Sequence, residues 1–101
     1  MSNNKMRPIH PGEVLKEELA GLGVSANAFA QALAVPTNRI TSILNEQRAI
    51  TADTSLRLAR YFGTTPEFWM NLQTAYDVKI ARQSNWSKIQ QAVKPAVKTA
   101  A

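Results

Sequence analysis

The stretch ALAVPTNRITSILNEQ (residues 32–47) decides the local fold of this chain. A short connection at Ala34–Val35 separates an apolar helical segment from a second one. Pro36 suits the first position of the second helix, because its missing N–H has no intrahelical partner there. Ile40 and Ile43 then recur at helical spacing. The stretch therefore predicts two short helices joined by a tight turn, the second over residues 36–45.

The flanking sequence predicts three further helices. Pro11 marks the start of the first helix and Gly23 its end, while Ser25 is a good N-cap for the second. Thr51 caps a fourth helix, which ends at Gly63, and Thr65–Glu67 begins a fifth, which is the longest. The positions expected to face the core are Val14, Leu15, Leu19, Leu22, Phe29, Leu33, Ser55, Leu58, Ala59, Phe62, Phe68, Trp69 and Leu72. No segment alternates with period two, so we expect an all-α domain.

Length and composition allow one domain with a single core. The chain has 101 residues, of which 45% are hydrophobic, and it contains no cysteine. Disulfides, thiolate chemistry and cysteine-ligated zinc are therefore excluded. We expect residues 1–8 to be a flexible leader, residues 9–83 to form the domain, and residues 84–101 to be a disordered basic tail.

Charge and hydropathy narrow the class of protein. No apolar run approaches the roughly 18 residues of a membrane span, and the N-terminus lacks a signal-peptide core, so we expect a cytoplasmic protein. The net charge is +5, but four basic residues and no acid lie after residue 81. Residues 1–81 hold eight basic and seven acidic residues, a net of +1. The basic character belongs mainly to the tail and does not by itself indicate nucleic-acid binding.

Two helices of about nine residues and a three-residue turn have the spacing of a helix-turn-helix. In that motif the first helix crosses the phosphate backbone of DNA and the second lies in the major groove. Asparagine can pair with adenine, and threonine or serine can bond several base edges. The same packing also occurs in helical domains that bind no nucleic acid. These residues are therefore compatible with base recognition but do not by themselves establish it. The outward positions of the second helix are Thr37, Asn38, Thr41 and Ser42, with Arg39 beside them.

Three further stretches carry a resemblance to a known family. They are HPGE (residues 10–13), RAIT (residues 48–51) and GTTPEFWMNLQ (residues 63–73). Over about residues 9–82 the chain resembles the HigA-type (VapI-like) antitoxins, a branch of the XRE/phage-repressor-like helix-turn-helix family. The resemblance implies a lambda-repressor-like fold and a dimer that binds double-stranded operator DNA. It also implies neutralisation of a HigB-type ribonuclease toxin of the RelE fold and repression of the chain's own operon.

The resemblance maps the reading helix onto residues 36–45. It places base contacts at Thr37, Asn38, Thr41 and Ser42, and it places Pro36 and Arg39 near the DNA backbone. The chain departs from the family at three positions. Members often have serine or threonine at position 36, a long basic residue at 42 and glycine at 46. Without an arginine at 42 the commonest guanine contact is missing, so the departures bear on the operator sequence.

Three arginines lie near the predicted loop and the fourth helix. Arg48, Arg57 and Arg60 can contact phosphates, which positions a protein on DNA without specifying sequence. Plain solvated charge is the other interpretation, and the sequence does not separate the two. Of these, we include Arg48 in the expected DNA-binding set.

The fifth helix extends past the expected four-helix core. Met70, Tyr76 and Ile80 therefore cannot all be buried within one subunit, and we expect them to form a two-fold dimer interface. Such a dimer would place two reading helices about one DNA turn apart, roughly 34 Å. A toxin-docking site is the second interpretation of the same surface.

The sequence contains no constellation for catalysis, metal binding or a cofactor. His10 is the only histidine and has no cysteine or second histidine beside it, so we expect a surface or capping residue. Glu13, Glu17 and Glu18 fit a solvated helix face. Three functions from different classes stay open: a HigA-type antitoxin and repressor, a stand-alone XRE-type regulator without a toxin, and a protein-interaction module that no longer meets DNA.

Overall fold

The computed structural model describes residues 7–97, and that range contains five α-helices and no strand. This confirms the predicted all-α, five-helix architecture. The remaining residues of the predicted leader and tail, 1–6 and 98–101, lie outside the described range. None of the described helices is long and apolar enough to cross a membrane. The helices are α1 (Pro11–Leu22), α2 (Ala26–Leu33), α3 (Thr37–Leu44), α4 (Ala52–Phe62) and α5 (Pro66–Ala92).

The helix ends follow the predicted capping residues. Ser25, Thr51 and Thr65 each accept a hydrogen bond from the backbone N–H three residues further on. Gly23 and Gly63 end α1 and α4 in the left-handed conformation. These five boundaries depend on local chemistry, and the structure confirms them.

The connection between α2 and α3 is built from an unusual backbone. Ala34 caps α2 in the left-handed region, at φ 57° and ψ 48°, a conformation that costs an L-residue about 1–2 kcal/mol. The Val35 N–H donates to the carbonyl of Ala30 at 3.0 Å. Pro36 is in extended backbone as the N-cap, so α3 begins at Thr37, one residue later than predicted. The turn is therefore held in one strained shape.

One buried cluster joins all five helices. Most predicted core positions are buried or pack against it, but two are not: Leu22 is 56% exposed and Phe68 is 45% exposed. Leu22 is the last residue of α1, and Phe68 lies about 100° around α5 from the buried Trp69, so neither faces the core. The cluster consists of Leu15, Leu19, Phe29, Ala30, Leu33, Ile40, Ile43, Ile50, Leu58 and Trp69.

Helix α5 continues well beyond the predicted end of the domain. The prediction of a disordered tail is wrong for residues 84–92, because α5 runs without a break to Ala92. Neither proline nor glycine occurs between Pro66 and Pro95, so no residue interrupts the backbone pattern earlier. Residues 81–92 are all exposed, and this part of α5 projects from the domain.

The loop between α3 and α4 is anchored from α5. Gln73 is only 4% exposed, and its Oε1 accepts a hydrogen bond of 2.7 Å from the Ile50 N–H. Its Nε2 donates to Asp77 at 2.9 Å. The buried Ile50 and this amide together fix the end of the loop that carries Arg48.

His10 caps α1 from inside the molecule. Its Nδ1 accepts a hydrogen bond of 2.9 Å from the Gly12 N–H, which confirms the capping role. The expectation of a surface position is wrong, because His10 is only 3% exposed. Its ring packs edge-on against Tyr76 with centroids 4.8 Å apart, so α5 covers it.

Helix α1 approaches the C-terminus of α3 closely at Gly12. A Cβ atom placed on Gly12 would lie 1.9 Å from the carbonyl oxygen of Ile43. Only a residue without a side chain allows the two backbones to meet there. The position of α3 therefore depends on a glycine in the first turn of α1.

We expect Gly12→Ala to lower the free energy of unfolding by about 3 kcal/mol or more, because α1 and α3 must move apart to accommodate the methyl group. Gly21→Ala is the matched control in the same helix, since a Cβ there would meet no atom within 4 Å. It should raise stability by about 0.5–1 kcal/mol through helix propensity. Urea denaturation followed by circular dichroism measures both. A Gly12→Ala variant as stable as wild type would contradict the close approach.

Candidate nucleic-acid interface

Helix α3 presents its first turn to solvent. Ile40 and Ile43 are buried on its inner side. Thr37 and Asn38 are exposed, whereas Thr41 and Ser42 are half-buried. The four predicted reading positions thus share the outer side of α3, and the first two are the most accessible.

Two of the three hydroxyl groups of α3 are engaged within the protein. Thr37 Oγ1 donates to Asn27 Oδ1 at 2.9 Å, which ties the start of α3 to the start of α2. Thr41 Oγ1 donates to the Asn38 carbonyl at 3.3 Å. Within residues 7–97 the Asn38 side-chain amide makes no hydrogen bond, so both its donor and its acceptor are available. Sequence reasoning missed Asn27, because only the fold brings the two helix starts together.

Arg39 turns away from the reading positions towards α4. It is half-buried, and its Nη1 lies 3.2 Å from Asp53 Oδ2. Asp53 also accepts from Arg57 Nε at 2.9 Å. This hydrogen bond to Arg57, together with the charges of both arginines, holds the pKa of the Asp53 carboxyl below its ordinary value. Asp53 is therefore ionised at neutral pH and neutralises charge beside α3.

Arg57 contacts the helix-turn-helix from α4. Its Nη1 donates to the carbonyl oxygens of Leu33 at 2.9 Å and Ala34 at 3.3 Å. These are the last residue of α2 and its cap, where carbonyls lack intrahelical partners and a cation is favoured. Asp53 and Arg57 stand four apart in α4, a pairing visible in the sequence, but the contact with α2 required the fold.

The loop after α3 forms the outer edge of a cleft. Arg48 is exposed, and within the described range the structure records no ion pair for it. The cleft beside it has a volume of about 400 Å³, and both arginines of the predicted DNA-binding set reach it. Its lining residues are Arg39, Arg48, Ala49, Thr51, Asp53 and Thr54.

Glu46 occupies a backbone position that favours glycine. Its φ is 63°, in the left-handed region that residues with a Cβ rarely adopt. The glycine that the resemblance places at position 46 is therefore explained by the backbone. Glu46 adopts this left-handed backbone despite its Cβ, so the departure adds local strain to the loop.

The three predicted dimerisation residues are not equally available. Met70 and Tyr76 are half-buried within the subunit, Met70 against the core and Tyr76 against His10. Ile80 is 38% exposed. Further along α5, Trp86 and Ile89 are exposed on a different side of the helix, which sequence reasoning missed because this segment was expected to be disordered.

Acidic and histidine side chains form no metal-binding cluster within residues 7–97. No group of three or more residues of the types that ligate metals is close enough to hold an ion in that range. The polar groups that converge are those around α3, the loop at Arg48 and the start of α4. This arrangement can present hydrogen-bonding side chains and positive charge to a polyanion.

Comparison with known proteins places the chain in a family. Residues 15–69 match the helix-turn-helix family model. Virulence-associated protein I of Dichelobacter nodosus is 56% identical over 85 residues, which cover 83% of this chain and 79% of that protein.

Solved structures agree with this match. An addiction module antidote protein of the HigA family from Coxiella burnetii is 62% identical, with a TM-score of 0.88, covering 90% of this chain and 100% of that one. The Pseudomonas aeruginosa antitoxin HigA, solved with the higBA promoter, is 43% identical with a TM-score of 0.87, covering 90% and 100%. These findings confirm the resemblance, and the chain belongs to the HigA-type antitoxins of the helix-turn-helix family.

Proposed function

We propose that this chain is a DNA-binding antitoxin that binds the operator of its own operon and represses it, and that it neutralises a HigB-type ribonuclease toxin of the RelE fold. The observation that carries the DNA-binding part is the relative solved with its promoter, which shares this fold over 90% of the chain. The accessible first turn of α3 supports the same function.

The reading mechanism follows from the chemistry of α3. The helix enters the major groove with Thr37, Asn38, Thr41 and Ser42 towards the base edges. Small side chains let the helix backbone approach the groove floor. The Asn38 amide carries an unused donor and acceptor, the pair that adenine N7 and N6 require. Thr37 and Thr41 can add single hydrogen bonds or contact a thymine methyl.

Phosphate contacts position this helix in the groove. Arg48 stands exposed at the loop edge, where its charge attracts the DNA backbone. Pro36 and Arg39 lie at the start of α3 and meet the backbone on the same side. The contacts of the cationic Arg48 and Arg39 release counterions and make binding steeply dependent on salt.

A dimer formed through α5 completes the operator complex. Ile80 contributes exposed apolar surface, and Met70 and Tyr76 contribute the exposed remainder of their side chains. Two-fold symmetry would place the α3 helices about one DNA turn apart, roughly 34 Å. The operator is then a palindrome with two equivalent half-sites.

Asn38→Ala should weaken specific binding by about 1–3 kcal/mol and relax one base position, with the salt slope unchanged. Arg48→Ala should weaken binding to every sequence and reduce the salt slope by about one for each phosphate that Arg48 neutralises. Fluorescence anisotropy with the upstream DNA and an unrelated duplex, over a salt series, separates the two effects. Wild-type protein that fails to bind its upstream DNA at low salt would reject the DNA-binding function.

The dimer is tested by sedimentation. We expect wild-type protein at micromolar concentration to sediment at twice the 11.1 kDa chain mass. Ile80→Asp should shift it towards the monomer, because a charge in an apolar interface loses its hydration. Leu22→Asp is the control, since Leu22 is an exposed apolar residue outside α5. Wild-type protein that sediments as a monomer would contradict the proposed dimer interface.

Neutralisation is tested with the product of the neighbouring gene. If that gene encodes a ribonuclease toxin, its expression should arrest growth and co-expression of this chain should restore it. We expect the Asn38→Ala variant to restore growth equally well, because the proposal assigns Asn38 to base contacts and not to toxin binding. A neighbouring product without toxicity would favour the stand-alone XRE-type regulator.

A further inference from the structure

We propose that Arg57 and Asp53 of α4 are positioning residues for operator binding, which set the angle of the helix-turn-helix and aim Arg39 without touching DNA. This inference rests on the proposed DNA-binding function. It assigns a role to two residues that the expected DNA-facing set does not contain.

Arg57 fixes the turn between α2 and α3. Its Nη1 bonds the carbonyl oxygens of Leu33 and Ala34, the two residues at which α2 ends. Ala34 lies in the strained left-handed conformation. A cation bonded to these carbonyls stabilises both the strained turn and the C-terminal end of the α2 dipole. The start of α3 follows immediately, so its direction is set from α4.

The contact of Arg57 with the two carbonyls is called the Arg57 clamp below. Asp53 links it to helix α3. One carboxylate oxygen, Oδ2, accepts from Arg57 Nε at 2.9 Å and from Arg39 Nη1 at 3.2 Å. The two arginines belong to different helices, α4 and α3. A single carboxylate therefore orients Arg39 and holds the Arg57 guanidinium at the turn. Together the three residues form a chain from α2 through α4 to α3.

A direct phosphate contact by Arg57 fits the geometry poorly. Its guanidinium makes four hydrogen bonds, two to the carbonyls and two to Asp53, out of the five donors that the group carries. Its charge is compensated by Asp53 beside it. Arg48, by contrast, is exposed and has no ion pair within the described range. The phosphate contact belongs to Arg48 and the positioning role to Arg57.

Salt dependence distinguishes these roles. A residue that binds phosphate releases counterions, so its removal lowers the salt slope. A residue that only orients the reading helix changes operator affinity at constant slope. Because recognition requires base contacts within a fraction of an ångström, a tilted α3 loses specific binding and retains non-specific binding.

The first experiment compares Arg57→Lys and Arg57→Gln with Arg60→Gln, an exposed arginine in the same helix. Binding to the upstream DNA and to an unrelated duplex is measured over a salt series, at a temperature where circular dichroism shows each variant folded. Arg57→Lys should weaken operator binding about tenfold or more, because the single ammonium of lysine lacks the planar fork of donors with which Arg57 spans two carbonyls and a carboxylate. The unrelated duplex should bind within about twofold of wild type, with an unchanged slope. Arg60→Gln should leave the ratio between the two DNAs unchanged.

Two results would overturn the inference while wild-type protein still binds its operator. One is an Arg57→Lys variant with full operator affinity. The other is an Arg57→Gln variant whose salt slope falls by about one per subunit, as for a phosphate ligand. If wild-type protein itself does not bind, the proposed function fails instead.

Asp53→Asn provides a second test, because repulsion of DNA and positioning of α3 predict different changes in DNA affinity. If Asp53 only repels DNA, its neutralisation should tighten binding to both duplexes equally. As a positioning residue, Asp53→Asn should lower the ratio of operator to unrelated affinity. The loss should be smaller in an Arg39→Ala background, because the two residues act through one contact. Equal tightening on both duplexes would contradict the role.

Discussion

Helix α3 cannot hold its own shape, and the rest of the domain is arranged around that constraint. Helix α3 has eight residues, and isolated helices of fewer than about 12 residues are marginal in water. Ile40 and Ile43 anchor it in the core, and Gly12 lets α1 pack directly on its last turn. Thr37 ties its beginning to α2. Its exposed face is therefore as rigid as these neighbours make it.

Charge around α3 is balanced more closely than the net charge of +5 indicates. Asp53 pairs with both Arg39 and Arg57 and offsets one of their two charges, which keeps Arg57 on the turn. Three basic residues of the described chain (Arg82, Lys88 and Lys94) lie on the projecting part of α5 and just beyond it. Under the proposed function, affinity for phosphate comes from the loop at Arg48 and the first turn of α3. Under the same proposal, specificity comes from uncharged side chains of α3 that the core and the Arg57 clamp hold in place.

Local signals predicted much of this architecture, and their failures have identifiable causes. Capping residues and glycines act within a few bonds, so the helix starts at Ser25, Thr51 and Thr65 could be read directly. Periodicity assigns a face to a helix but does not show where neighbouring helices stop, which is why the predicted burial of Leu22 is wrong. The segment after Gln83 is rich in polar residues, alanine and lysine, so its composition suggested disorder, while no proline or glycine interrupts its backbone before Pro95.

By itself, the sequence determined the all-α class, the helix-turn-helix and the polar face of α3, because each follows from spacing and from side chains a few residues apart. Tertiary structure alone decided the rest of the site. It placed Arg57 on the carbonyls of a turn more than twenty residues earlier, and Asp53 between two arginines. It brought Gly12 onto the Ile43 carbonyl and Gln73 onto the loop that carries Arg48. The physical reason is that these contacts join residues whose separation along the chain carries no periodic signal. They exist only after the core has set the distances between helices.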